Sequence, residues 1–105
     1  MKTIMLVCAA GMSTSMLVQK MKEAANAKNI EADIFAVSST EADAIFAKKD
    51  IDILLLGPQV RFMKAKFENK LKDKNIPVMD IDMRSYGLMD GKTILEQALA
   101  AIDKK

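Results

Sequence analysis

The sequence has no histidine and no tryptophan, and only one cysteine, one tyrosine, two prolines and four glycines in 105 residues. Without histidine there can be no Ser-His-Asp triad, no Cys-His protease pair, no phosphohistidine and no imidazole metal ligand. A lone cysteine excludes a disulfide framework, a Cys-x-x-Cys redox pair and a thiolate zinc site, so no metal site is expected, and it suits a reducing cytoplasmic setting. Four phenylalanines and one tyrosine are too few for a base-stacking surface or an aromatic sandwich around a flavin. The longest apolar runs, Ile4 to Met12 and Ile53 to Gly57, fall well short of the roughly 18 residues a membrane-spanning helix needs, so no direct membrane insertion is expected. A net charge of +2 is too small to argue for nucleic acid.

What is present is half hydrophobic and 29% charged, the composition of one compact domain spanning residues 1–105. Lys2 followed by Ile4 to Met12 has the look of a short leader peptide, but the same run is needed as a strand. The chemistry that remains belongs to Cys8, hydroxyls, carboxylates and backbone amides.

Thr3 to Val7 is a short continuous apolar run, as expected of a strand buried on both faces. Ser13, Thr14 and Ser15 are N-cap types, and Leu17, Met21, Ala24 and Lys28 recur at helical spacing, predicting a first helix from about Ser15 to Lys28. Asp33 to Val37 predicts a second strand. Ser38 with Glu41 has the spacing of a capping box opening a short helix through Phe46. Ile51 to Leu56, the most apolar run, predicts a central strand stopped by Gly57-Pro58. A third helix buries Val60, Met63, Phe67 and Leu71, with Arg61, Lys64, Lys66, Lys70, Lys72 and Lys74 outside that stripe. Val78 to Ile81 predicts a fourth strand and Asp82 to Gly91 a loop, while Ile94, Leu95, Ala98 and Ile102 mark a last helix. Met5, Met21, Met63 and Met79 fall on core faces.

Strict alternation of strands and helices implies an α/β fold: a four-stranded parallel sheet with helices on both faces, flavodoxin-like. In such a sheet ligands bind beyond the carboxyl ends of the strands. Strand one ends at Cys8, and Ala9, Ala10, Gly11, Met12, Ser13, Thr14 and Ser15 follow immediately before a helix. Gly11 can adopt φ > 0, and the backbone amides of this segment can converge on an anion with help from the helix dipole. The same field favours a thiolate. An inert buried thiol beside an ordinary capped turn is an equally good reading of the residues alone.

Cys8 to Ser15, Leu55-Leu56-Gly57-Pro58-Gln59 after the third strand, and Tyr86-Gly87 with Asp90-Gly91 before the last helix occur in that order across essentially the whole chain. Together they resemble the IIB component of the bacterial phosphoenolpyruvate-dependent sugar phosphotransferase system, lactose/cellobiose (chitobiose) type. The resemblance implies a cytoplasmic, monomeric protein without cofactor. Cys8 would accept a phosphoryl group from phosphohistidine on a IIA phosphocarrier protein, as phosphocysteine, and pass it to a disaccharide held by the IIC membrane sugar permease. Cys8 would be the nucleophile, and Ala9 to Ser15 the phosphate cradle. A carrier of this kind needs no metal and no general base once the thiolate has formed.

Small cytosolic tyrosine phosphatases have a similar sheet and a loop reading Cys, five residues, Arg, then Ser or Thr. The arginine position holds Thr14 here. Loss of a transition-state oxyanion donor costs about 2.7 to 4 kcal/mol, which disfavours a thiol phosphatase even with Asp82 as a candidate general acid. A receiver domain needs acidic residues where this chain has Cys8 and Gly57. Gly91-Lys92-Thr93 lacks the leading glycine of a Walker loop, with Tyr86 in its place. A non-catalytic interaction module working through the basic third helix is the alternative of a different class. Gln59, Tyr86, Met12 and Arg84 are candidates for the rim of the Cys8 site.

Overall fold

A computed structural model describes residues 1–8 and 11–104, and only the backbone of residues 11–14. The described elements are β1 (Lys2–Cys8), α1 (Gly11–Ala27), β2 (Ala32–Ser38), α2 (Ala42–Lys48), β3 (Ile53–Leu56), a 3-10 helix (Pro58–Met63), α3 (Lys64–Leu71), a 3-10 turn (Lys72–Lys74), β4 (Val78–Asp80), α4 (Met83–Gly87) and α5 (Gly91–Asp103). The strands lie in the order β2-β1-β3-β4, all pairs parallel. This is the α/β fold expected from the alternation, in the flavodoxin-like order.

Alternation along the strands divides the interior into two cores. Ile4, Leu6, Ile34, Ile53 and Leu55 face α1 and α5, meeting Leu17, Met21, Ile94, Leu95, Ala98 and Ile102. Met5, Val7, Leu54 and Leu56 face the other way, onto Ala42 of α2, Val60, and Phe67 and Leu71 of α3. Both faces are covered, which is why β1 and β3 read as unbroken apolar runs. Met5 and Met21 are fully buried, and Met63 and Met79 are partly buried against the two cores.

Several boundaries depart from the sequence reading, each for a local reason. Helix α1 begins at Gly11, so Ser13, Thr14 and Ser15 are helical residues and not caps. Gly11 therefore has a right-handed helical place, and no described glycine has a positive φ. Strand β3 starts at Ile53 because the Asp52 carboxylate takes the Thr3 N–H at 2.7 Å, replacing a backbone acceptor at the strand start. The third helix begins as a 3-10 turn with Pro58 at its start, where a missing N–H costs nothing. Asn75, in the left-handed conformation at φ 57°, ends it.

The stretch Asp82 to Gly91 is not a loop. Asp82 accepts hydrogen bonds from the Ser85 N–H and hydroxyl, both at 3.0 Å, and so starts α4. Asp90 does the same for α5 through the Thr93 N–H at 3.1 Å and hydroxyl at 2.7 Å. These bonds hold both carboxyls below the usual aspartate range. The capping box at Ser38 is half formed: the Glu41 carboxylate reaches back to the Ser38 N–H at 3.3 Å, but α2 starts only at Ala42.

Candidate functional site

Cys8 is the last residue of β1, between β2 and β3, and is 3% exposed. Its Sγ–H points toward β2, donating to the Val37 carbonyl at 3.7 Å. In the ladder Cys8 stands opposite Ser38. On the other side the Gly57 N–H donates to the Val7 carbonyl at 2.9 Å. A Cβ on Gly57 would lie 3.9 Å from Cys8 Cβ and 3.3 Å from Gln59 Oε1. The ends of three parallel strands thus converge around one thiol. Gly57 keeps the β3 side of that junction thin.

A cavity of about 180 Å³ opens beside the thiol, lined by Cys8, Ser15, Ala36, Val37, Ser38 and Glu41. Parity explains which wall this is. Cys8 continues the series Ile4, Leu6 on the α1 side of the sheet, as Ser38 continues Ile34, Ala36. Helix α1 opens three residues after Cys8, so the positive end of its dipole is at this end of the sheet. A wider, open hollow of about 600 Å³ lined by Met1, Lys22, Asn26, Glu31 and Asp33 lies at the opposite ends of β1 and β2, away from the thiol.

Of the residues singled out in the sequence, Cys8 and Ser15 share the cavity. Ala9 and Ala10, and the side chains of Gly11, Met12, Ser13 and Thr14, lie outside the described residues. Asp82 is committed to capping α4, and its lowered pKa, set by the Ser85 backbone and hydroxyl hydrogen bonds, is the wrong direction for a general acid at neutral pH. Tyr86 is partly buried against the α1–α5 core. No group of three acidic or cysteine side chains placed to hold a metal occurs among the described residues.

Three lysines of the basic third helix are engaged with neighbouring elements. Lys64 faces Asp80 at 4.0 Å, Lys70 pairs with Asp43 at 2.7 Å, and Lys74 donates to the Phe46 carbonyl at 3.1 Å. Exposed apolar side chains follow β3 and β4. Phe62 is 80% exposed and Met83 62%, and Arg61 donates to the Met83 sulfur at 3.7 Å, joining the segments that follow β3 and β4. Phe62 fell outside the apolar stripe Val60, Met63, Phe67, Leu71, and that was the available signal of its exposure. Ser38 and Glu41 were visible only as a cap, because the register that sets Ser38 beside Cys8 is a tertiary fact.

Comparison with known proteins identifies the family. The chain is 46% identical over 100 residues to the oligo-beta-mannoside-specific EIIB component of Bacillus subtilis (strain 168), covering 95% of each. It is 44% identical over 100 residues to the galactose-specific EIIB component of Lactococcus lactis subsp. cremoris (strain MG1363), covering 92% of this chain and 93% of that one. The solution structure of a cellobiose-specific phosphotransferase IIB component from Borrelia burgdorferi superposes with a TM-score of 0.79 at 42% identity, covering 99% of this chain and 94% of that one. With residues 3–97 matching the model of the phosphotransferase-system lactose/cellobiose-specific IIB subunit, the thiol at the end of β1 stands in a chain that belongs to that family.

Proposed function

We propose that Cys8 is a phosphoryl carrier: it accepts the group from phosphohistidine on a IIA protein and delivers it to a sugar held by a membrane IIC permease. The observation that carries this reading is the placement of one thiol at a three-strand junction, beside a cavity and three residues ahead of a helix start. In the charging step the Cys8 sulfur forms an S–P bond as the donor P–N bond breaks, and the electron pair returns to the imidazole nitrogen. Amides of the Ala9 to Ser15 segment, with the Ser13, Thr14 and Ser15 hydroxyls, hold the phosphoryl oxygens, whose charge the α1 dipole favours. With Thr14 where phosphatases carry arginine, hydrolysis lacks its usual oxyanion donor and the phosphocysteine survives to be passed on.

Both arginines of the chain, with exposed Phe62, Met83 and Met16, lie at this end of the sheet and support docking of each partner in turn, since the phosphorus must come within bonding distance of one sulfur. The protein works in the cytoplasm, and no helix among the described residues is long and apolar enough to cross a membrane. Relatives of near-equal identity carry different sugar names, which fits a sugar choice made on the membrane partner. Incubation with a phosphorylated IIA protein should add one phosphoryl group by intact mass, and Cys8→Ser should not accumulate it. Normal loading of that variant would overturn the assignment.

A further inference from the structure

The β2 wall of the Cys8 cavity holds a charge of unexpected sign for a phosphate site. Of the residues lining it, Cys8, Ser15, Ala36, Val37, Ser38 and Glu41, none is basic and one is a carboxylate. Glu41 is held in place: its Oε1 accepts from the Ser38 N–H at 3.3 Å and from the Ser38 hydroxyl at 2.9 Å, and that hydroxyl also lies 3.0 Å from Thr40 Oγ1. Ser38 is in turn the ladder partner of Cys8. Paired strands stand about 4.8 Å apart, so a carboxylate one hydrogen bond beyond the Ser38 side chain lies within roughly 8 Å of the thiol. Sites built to retain phosphate place Arg or Lys at such a position. A clamped carboxylate does the reverse.

We propose that Glu41 is a charge-tuning residue whose carboxylate, fixed by Ser38, raises the free energy of a phosphoryl group on Cys8 so that the group is handed on and not retained. This rests on the carrier reading above and extends it. In discharge the acceptor hydroxyl oxygen forms an O–P bond, the S–P bond breaks with its electron pair returning to sulfur, and the hydroxyl proton leaves to solvent. Glu41 makes no bond in either step and acts only through its field. Relative to the thiolate it replaces, a phosphoryl group of about −1.5 to −2 charge adds roughly −0.5 to −1. At roughly 8 Å, with screening between that of a protein surface and that of water, one carboxylate shifts its equilibrium by about three- to tenfold.

Glu41→Gln keeps the acceptor oxygen for Ser38 and removes the charge, so a purely capping role leaves this variant like the wild type. Asp43→Asn is the control, because that carboxylate, two residues along the chain, does not line the cavity and pairs with Lys70. Each full-length protein is equilibrated with a limiting amount of phosphorylated IIA protein, and the phosphorylated fraction is read by intact mass. Glu41→Gln should move the equilibrium constant three- to tenfold toward Cys8, with Asp43→Asn unchanged. A wild-type constant for Glu41→Gln, or an equal shift in Asp43→Asn, overturns the proposal while the carrier reading stands. No loading of the wild type overturns both.

Discussion

Replacing Gly91 by alanine tests the crossing of α1 and α5. A Cβ built at Gly91 lies 2.5 Å from the Lys20 carbonyl carbon, 2.6 Å from the Met21 nitrogen and 2.7 Å from Lys20 Cβ. Two of these are backbone atoms in the middle of a helix, so no side chain can swing away. Ordinary contact begins near 3.4 Å, so α1 and α5 must separate by roughly 0.9 Å along a seam that includes Leu17, Met21, Ile94 and Leu95. Overpacking of this kind costs about 1–3 kcal/mol, and alanine recovers at most about 1 kcal/mol of helix propensity. A net loss near 2 kcal/mol lowers Tm by about 10 °C in a domain of this size. Gly87→Ala is the internal control, since nothing lies within 4 Å of its added Cβ and its φ is not positive, and it should leave Tm unchanged or slightly raised. Both are read by thermal and urea unfolding followed by circular dichroism. A Gly91→Ala protein as stable as the wild type would refute the close-packing argument.

Phe62→Ala should weaken association with a partner at least tenfold while leaving Tm within a degree or two, because the ring is 80% exposed and anchors of this type carry binding energy and not folding energy; titration calorimetry against the IIA protein reads it, and an unchanged Kd places docking elsewhere. Asp82→Ala should measurably lower stability through loss of the α4 cap. Since the folded pKa of Asp82 is lowered by its Ser85 hydrogen bonds, the carboxylate's contribution is present above the ordinary aspartate value of 3.8 and is lost as pH falls through the folded value. Wild type and variant should therefore converge in stability on acidification, and a constant difference down to pH 2 would contradict the capping account.

The sheet was legible from the sequence because its strands are buried on both faces: Ile4 to Val7 and Ile53 to Leu56 could be little else. Helix starts were less so. Three cap-type residues, Ser13 to Ser15, make the start of α1 degenerate, and the chain resolved it by beginning earlier, at Gly11. Asp82 and Asp90 each stand three residues before a hydroxyl residue, the same cap spacing used twice, yet α4 is so short that its apolar pattern carried no signal. At the site, Cys8 stood out as the only thiol after a strand. Glu41 did not, because its neighbourhood with Cys8 depends on the pairing of β1 with β2, which no local pattern encodes.

The division of β1 between two cores has a consequence for how chains of this plan can diverge. Ile4 and Leu6 serve one core, Met5 and Val7 the other, and Cys8 takes its side from that count. Loss or gain of a single residue between Lys2 and Val7 would carry the thiol through the sheet to the α2–α3 side, away from Ser15 and Ser38, while exchanging the two sets of apolar side chains. A change of two residues would preserve the side. The strand can therefore vary freely in which apolar residues it uses, but its length upstream of the cysteine can drift only in even steps, a constraint on insertions and deletions that no single substitution would reveal.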